Sequence, residues 1–300
     1  MIAAAEYQAL RPYLFSIAYR MLGRASEAED VVHDAWLRAA ESAPADLRSP
    51  RKWLSTVVTR LCLDRLKSAR ATREAYPGPW LPDPVPTNGF PDLEDSTLRR
   101  ESITLAFLVL LEVLSPVERA AFLLREVFEY DYAEVARILE TSEAACRQLV
   151  HRAKQRIAER RPRFSTPPER QREIVSSFLE AAARGDLRAL EAVLARDVVH
   201  EADGGGKAPA ATRPVVGPDR VARLYAGLAA KAAQAPPGAV RFSLADVNGE
   251  TALLVDALGR LETVIVFTVE EDRITALRAV RNPDKLAWME RTLRPGNVAG

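Results

Sequence analysis

Hydrogen-bond donors recur along one side of the stretch 144–163, namely Arg147, Gln148, His151, Arg152 and Lys154. The same stretch holds seven Arg or Lys residues against one acid, although the net charge of the whole chain is only +1. Such donors suit base edges and phosphates, and a local excess of positive charge attracts polyanions. A solvated helix face is the alternative for a basic run alone. The spacing of the surrounding residues favours DNA binding.

Two capping signals show which elements position this basic face. Ser115 with Glu118, and Asp131 with Glu134, have the residue types and spacing of a capping box, which marks the first turn of a helix. Apolar residues then recur every three or four positions to Ile157, with a break at 140–142, which predicts two helices across a tight turn. Together with the helix that Ser115 begins, these two helices form the pattern of a helix-turn-helix module.

One position in the predicted turn fits poorly. Glu140 lies where glycine would reach the left-handed conformation most easily. Glu140 is therefore an untypical residue for this turn.

The composition describes a globular protein. A chain of 300 residues predicts about two domains, and 48% apolar with 28% charged residues excludes disordered and fibrous classes. We find neither an apolar run of membrane length nor a signal-peptide pattern, so we expect a cytoplasmic protein with no membrane partner. Cys62 and Cys146 lie on apolar stripes and are predicted to be core residues. The three histidines lack metal-ligand spacing, so neither a metal site nor a cofactor is predicted.

The N-terminal part predicts three helices, over 3–22, 27–41 and 51–70. Gly23 is expected to end the first, and Ser26 to cap the second. The second helix is acidic and partly apolar, so it can dock a partner, although an ordinary amphipathic core helix has the same composition. Its candidate partner-binding residues are Asp30, Asp34 and Trp36.

The third helix is basic. Between residues 48 and 73 there are eight Arg or Lys residues against one acid. Basic charge beside aromatic rings is how proteins hold single-stranded DNA. The candidates for DNA contact here are Trp53, Arg60, Asp64, Lys67 and Arg70.

Residues 7 to 160 resemble the two conserved regions of bacterial RNA polymerase sigma factors of the extracytoplasmic function (ECF) group. AEDVVHDAWLRA (28–39) is similar to the helix that grips the polymerase clamp, and SPRKWLSTVVTRLCLDRLKSAR (49–70) to the minus-10 helix. LSPVERAAFLLREVFEYDYAEVARIL, with the helix after it, is similar to the minus-35 module. The resemblance implies two partners: promoter DNA, and core RNA polymerase through its beta-prime clamp and beta flap.

This chain departs from the group in three places that bear on promoter sequence. Arg60 stands where the group often has Asn, and Glu140 and Leu149 are unusual in the second module.

A proline-rich segment separates the two helical modules. Residues 76–95 contain six prolines and end in acidic residues, which predicts an extended, semi-stiff linker. GPWLPDP (78–84) resembles a linker signature of an ECF subgroup with an additional C-terminal domain. Trp80 has no obvious core to enter, so we expect it to bind another part of the assembly.

A new domain is predicted after Ser165-Thr166-Pro167-Pro168. Helices are expected at 169–184, 186–195 and 218–231, and strands at 197–202, 213–216, 240–247, 251–258, 261–269 and 274–280. Asn248-Gly249 is a strong hairpin signal. This order predicts an α+β domain with helices over one face of a curved antiparallel sheet, and it resembles the SnoaL-like cone fold of ketosteroid isomerases and polyketide cyclases.

We therefore predict a multidomain fold with two all-α modules followed by the cone. The boundaries are 1–75 for the first module, 76–100 for the linker, 101–165 for the helix-turn-helix module and 166–300 for the cone. DGGGK and NPDKL resemble paired signatures of the same subgroup, and we expect them to dock the cone on the helical modules. Their residues, with Trp80, are the predicted interdomain set: Asp203, Gly204, Gly205, Gly206, Lys207, Asn282, Pro283, Asp284, Lys285 and Leu286.

Three functions follow from these patterns. The resemblance implies a sigma factor whose cone tunes its activity. The alternative is a one-component DNA-binding regulator with a small-molecule ligand in the cone, but one DNA module would suffice for that. An isomerase would need a carboxylate base in the cone, and the only cluster, His200, Glu201 and Asp203, alternates across the strand. No catalytic residue is predicted.

Overall fold

The computed structural model describes residues 2–44, 47–90, 97–158 and 166–293, with the side chains of 69–74 omitted. The chain forms two compact units. The helical unit comprises Met1–Ala75 and Asn88–Arg161, and the cone unit comprises Tyr76–Thr87 and Pro162–Gly300. The linker expected at 76–100 is thus divided between them. Its acidic end and the basic residues after 158 lie outside the described residues.

Three helices begin the helical unit: α1 (Ala4–Leu22), α2 (Ala25–Ser42) and α3 (Pro50–Glu74). Their apolar stripes meet in a shared core, to which α1 contributes the fully buried Leu14 and Ala18. Gly23 ends α1 as expected, in the left-handed conformation at φ 68°. The cap predicted for α2 is wrong: the helix begins at Ala25, and no side chain caps it.

The second half of the helical unit contains five short helices and one wider turn. They are α4 (Thr97–Glu101), α5 (Leu105–Leu111), α6 (Pro116–Phe122), a π-helical turn (Leu123–Val127), α7 (Tyr132–Leu139) and α8 (Glu143–Ala158). Both predicted capping boxes form, at Ser115 and at Asp131. The turn before α8 places Glu140 at φ 52° and ψ 49°, the left-handed conformation that glycine would adopt more easily.

The two helical modules pack on each other, which the sequence did not indicate. Helix α3 contacts α6 and α7, and α1 contacts α6. Arg20 of α1 is fully buried and donates to Ser102 Oγ at 2.7 Å. The minus-10-like helix therefore lies against the helix-turn-helix module.

The cone unit has the predicted α+β architecture. Its elements are α9 (Pro168–Arg184), α10 (Leu187–Val193), β1 (Leu194–Asp203), β2 (Val215–Val216), α11 (Pro218–Ala233), β3 (Val240–Val247), β4 (Glu250–Ala257), β5 (Arg260–Glu270), β6 (Arg273–Val280) and α12 (Pro283–Leu293). The sequence did not predict helix α12, because Pro283 was expected to mark the end of the last strand. Pro283 is instead the first residue of α12.

The six strands form one sheet in the order β2-β1-β6-β5-β4-β3. Antiparallel pairing holds for β3 to β6 and for β1 with β2, whereas β1 and β6 are parallel. The hairpin turn at Asn248-Gly249 forms with both residues at positive φ. Register shifts within β4–β5 and β5–β6 bend the sheet around a core that includes Phe178, Tyr225 and Phe267.

Candidate nucleic-acid interface and linker contact

Helix α8 presents the predicted donors on its outer side because Cys146, Val150 and Ala153 are buried on the other. Four of the five donors line one open depression of about 410 Å³: Arg147, Gln148, His151 and Arg152. The fifth is separated from them, because Lys154 Nζ lies 2.6 Å from Glu126 Oε2. The depression is therefore basic at its rim and open to solvent.

Glu118 anchors the C-terminal half of this face. Its Oε2 accepts from Arg156 Nη1 at 2.8 Å, and its Oε1 lies 3.5 Å from Arg152 Nε. Burial by itself would raise the pKa of the Glu118 carboxyl, but hydrogen bonds from Ser115 and the two arginine charges outweigh it and hold the pKa below its usual value.

The predicted residues of α3 are dispersed rather than clustered. Trp53 is half-buried, and Lys67 Nζ pairs with Asp64 Oδ1 at 3.1 Å. Arg60 turns toward the helix-turn-helix module, where its Nη2 lies 3.0 Å from Glu140 Oε1. The side chain of Arg70 lies outside the described residues.

The acidic helix α2 presents its charges to solvent. Asp30 and Asp34 lie 3.6 Å and 2.9 Å from Arg65, with exposed side-chain fractions of 68% and 43%. Trp36 packs on Tyr7 with ring centroids 4.4 Å apart. Leu37, which the sequence reasoning did not single out, is 48% exposed and adds apolar surface to this face.

In the cone unit, Asp203 and Lys285 form a fully buried ion pair, with Asp203 Oδ2 and Lys285 Nζ 2.7 Å apart. Asp203 also accepts from the Tyr76 hydroxyl at 2.5 Å and from the Leu81 N–H at 2.8 Å. Lys285 donates to the Leu81 carbonyl, and its Nζ lies 4.3 Å from the centroid of the Trp80 ring. Both signature motifs therefore converge on the linker segment, by which we mean residues 76–87.

The remaining motif residues shape this contact. Asn282 Nδ2 donates to the Tyr76 hydroxyl at 2.9 Å, and Lys207 pairs with Asp284 at the surface. A Cβ on Gly205 would lie 2.1 Å from Asn282 Nδ2, so only glycine permits this approach. A Cβ on Gly204 would come similarly close to a backbone carbonyl, and one on Gly206 would approach a proline of the linker segment. Pro283 begins α12, and Leu286 is buried.

The far end of the linker segment has contacts that sequence reasoning missed. The Asn248 side chain accepts from the Val85 N–H at 2.9 Å, while the Asn248 N–H donates to the Val85 carbonyl at 2.9 Å. Thr87 Oγ1 accepts from the Gly249 N–H, also at 2.9 Å. Asn248 looked only like a turn residue in the sequence, and its second role depends on which segment lies beside the turn.

His200, Glu201 and Asp203 are not brought together. His200 lies in the cone core, 3.2 Å from Tyr225 through its Nδ1, and burial lowers its pKa to about 4. Glu201 pairs with Arg278 instead. Among the described residues there is no group of three metal-ligating side chains and no helix long and apolar enough to span a membrane.

Comparison with known proteins connects this geometry with a family. Residues 7–72 match the model of Sigma-70 region 2, and residues 104–157 match Sigma-70, region 4. The ECF RNA polymerase sigma factor SigJ of Mycobacterium tuberculosis is 39% identical over 93% of this chain and 92% of its own length. A probable ECF RNA polymerase sigma factor of the same species, SigI, is 33% identical over 94% of each chain.

A solved structure extends the similarity to the whole fold. The crystal structure of the Mycobacterium tuberculosis ECF sigma factor SigJ is similar with a TM-score of 0.74 and 37% identity, covering 95% of this chain and 98% of that one. The similarity therefore includes the cone as well as both helical modules.

Proposed function

Because the chain belongs to the ECF group of RNA polymerase sigma factors, which bind core polymerase and promoter DNA, we propose that α3 and α8 are its two promoter-binding helices. The depression on α8 supports this assignment, since Arg147, Gln148 and His151 line it together and all can donate hydrogen bonds. On α3, the half-buried Trp53 lies in a helix whose sequence is rich in basic residues, and aromatic rings with basic charge suit unpaired bases. The alternative function, a one-component DNA-binding regulator with a ligand in the cone, is not favoured.

We assign the polymerase contact to α2 and to the helix-turn-helix module. Asp30 and Asp34 provide exposed negative charge beside Leu37 and Trp36, the mixture of charge and apolar area that protein interfaces use. We assign this face to the beta-prime clamp and the helix-turn-helix module to the beta flap. A protein with these partners acts in the cytoplasm.

We assign a regulatory function to the cone unit, exerted through the linker segment. The observation that carries this proposal is the buried pair Asp203–Lys285, whose remaining hydrogen-bonding capacity is used by Tyr76 and Leu81. A segment held in this way lies between the two promoter-binding modules in sequence, so holding or releasing it changes how freely they move. Regulation of this kind requires neither a reaction nor a small-molecule ligand in the cone.

Run-off transcription with purified core polymerase on genomic fragments tests the proposal. We expect promoter-dependent transcripts with the full chain, and a changed output after deletion beyond Ser165. Asp203→Asn should change the output in the same direction as the deletion. Asp219→Asn is the matched control, because Asp219 is an exposed acid of the same unit that pairs with Arg223 of its own helix, α11.

Two outcomes would contradict different parts of the proposal. Absence of any transcript with the full chain and polymerase would contradict promoter recognition. Equal output from the full chain, the truncation and Asp203→Asn at equal polymerase loading would show that the cone does not regulate.

A further inference from the structure

The two helical modules contact each other through a residue of the proposed minus-10 helix. Arg60 Nε donates to the Ile138 carbonyl and Nη2 to the Arg137 carbonyl, both at 3.2 Å. The last carbonyls of a helix have no partner within the helix and carry partial negative charge. The guanidinium therefore caps the C-terminus of α7 from a different module.

Glu140 completes this contact. Its Oε1 lies 3.0 Å from Arg60 Nη2, although the residue must hold a left-handed backbone that glycine would adopt without strain. About two turns earlier on α3, Lys52 pairs with Glu134 of α7. An acidic residue in a strained position thus adds charge at the place where α3 meets the helix-turn-helix turn.

Other contacts hold the same two modules together. Arg119 of α6 donates to the Met21 carbonyl at the end of α1 at 2.7 Å, again capping a helix from the opposite module. The Tyr13 and Tyr130 hydroxyls are 3.3 Å apart, and Tyr13 packs edge-on against Phe128. Arg119 is almost fully buried, whereas Arg60 is 44% exposed, so Arg60 is the easier contact to release.

We propose that Arg60 and Glu140 form a latch that closes α3 on the helix-turn-helix module in the free protein. The guanidinium of Arg60 cannot cap α7 and contact DNA at once, so binding of α3 to single-stranded DNA requires the latch to open. This inference rests on the proposed role of α3. The closed state is favoured at low salt, because the latch consists of exposed charges.

A distance measurement on the full chain tests the latch without DNA. Spin labels are attached to cysteines replacing the exposed Ala40 of α2 and Gln155 of α8, since the native Cys62 and Cys146 are buried. We expect one narrow distance distribution at low salt. Glu140→Gln and Arg60→Ala should each add a minor population at longer distances, because the Arg20, Arg119 and Tyr13 contacts between the modules remain.

Glu143→Gln is the matched control, because it removes the same charge three residues later from a carboxylate that pairs with Arg147 instead. It should leave the distances unchanged. An equally broad distribution in the unmodified chain, or identical distributions in all variants, would overturn the latch.

Binding of a single-stranded oligothymidylate then tests the coupling to DNA. Glu140→Gln should bind it about two- to fivefold more tightly than Glu143→Gln does, because loss of an exposed ion pair raises the open population. Broadened distances with no such gain would contradict the coupling. Absence of run-off transcripts with the unmodified chain would instead contradict the proposed role of α3. The two failures are therefore distinguishable.

Discussion

The imidazole of His200 lies in the cone core beside the Tyr225 hydroxyl and is only 5% exposed. Burial lowers its pKa to about 4, below the value of about 6.5 expected in the unfolded chain, so the unfolded state binds more protons between these values. The neutral histidine therefore contributes stability above about pH 6.5 that is lost as the pH falls toward 4. Between pH 7 and pH 5 the loss should be about 2 kcal/mol.

His200→Gln tests this effect, because glutamine can still bond to Tyr225 but does not titrate. Urea unfolding of the full chain at pH 7 and pH 5 should show a drop in stability that is about 2 kcal/mol smaller in the variant. An equal loss of stability in both proteins would show that protonation of His200 is not coupled to unfolding of the cone.

Glu118 is the second residue whose charge has a structural consequence. Its lowered pKa means that the stability it contributes is present above the usual carboxyl pKa and is lost as the pH falls through the lowered value. Glu118→Gln should destabilise the protein by about 1.5 to 3 kcal/mol at pH 7, since charge-assisted bonds to Arg152 and Arg156 are lost. Glu126→Gln, which breaks one exposed pair with Lys154, should cost less than about 1 kcal/mol in the same urea titration.

At the scale of elements, α8 has an N-terminal half that we assign to base recognition and a C-terminal half whose Arg156 is held by Glu118. Arg147→Ala should cost about 1 to 3 kcal/mol of promoter affinity in a sequence-dependent way, because a base-edge contact is lost. Arg152→Ala should weaken binding uniformly and lower the salt slope by about one unit. Arg156→Ala, whose guanidinium is held by Glu118, should lower stability more than the salt slope.

The measurement is the salt dependence of holoenzyme binding to a promoter fragment and to a scrambled fragment. Equal losses on both fragments for Arg147→Ala would remove it from the base-reading set. An unchanged salt slope for Arg152→Ala would remove the phosphate contact.

At the scale of the whole molecule, the linker segment belongs to the cone unit through backbone as well as side-chain bonds. Asp203→Asn leaves the Lys285 charge buried without its partner, which typically costs about 3 to 5 kcal/mol. We expect this variant, and Gly205→Ala with its clash against Asn282, to release the linker segment. Limited proteolysis should then cleave within 76–87 faster than in the unmodified chain.

Gly227→Ala is the matched control for Gly205→Ala, because a Cβ at this helical position meets no neighbour within 4 Å. Its cleavage rate should not change. Protection of 76–87 in the Gly205→Ala and Asp203→Asn proteins would show that the segment is held by other contacts.

The sequence by itself determined most of the helices and strands, and the family. Helix signals such as Gly23 and the capping boxes at Ser115 and Asp131 act over a few residues, so they were predictable and are confirmed. The same holds for the outward donors of α8, since helical spacing alone separates them from the buried Cys146 and Val150.

Only the tertiary structure decided which distant residues meet. Lys285 was predicted to belong to an interdomain contact, but its partners were not: it is buried because Asp203 and the Leu81 carbonyl, 82 and 204 residues away in the chain, satisfy its ammonium group. Arg60 is a predicted DNA contact, and in the free chain it caps α7 by bonding to carbonyls 77 and 78 residues away. Local spacing cannot encode such pairings, because the burial and partners of a charge depend on how whole elements pack.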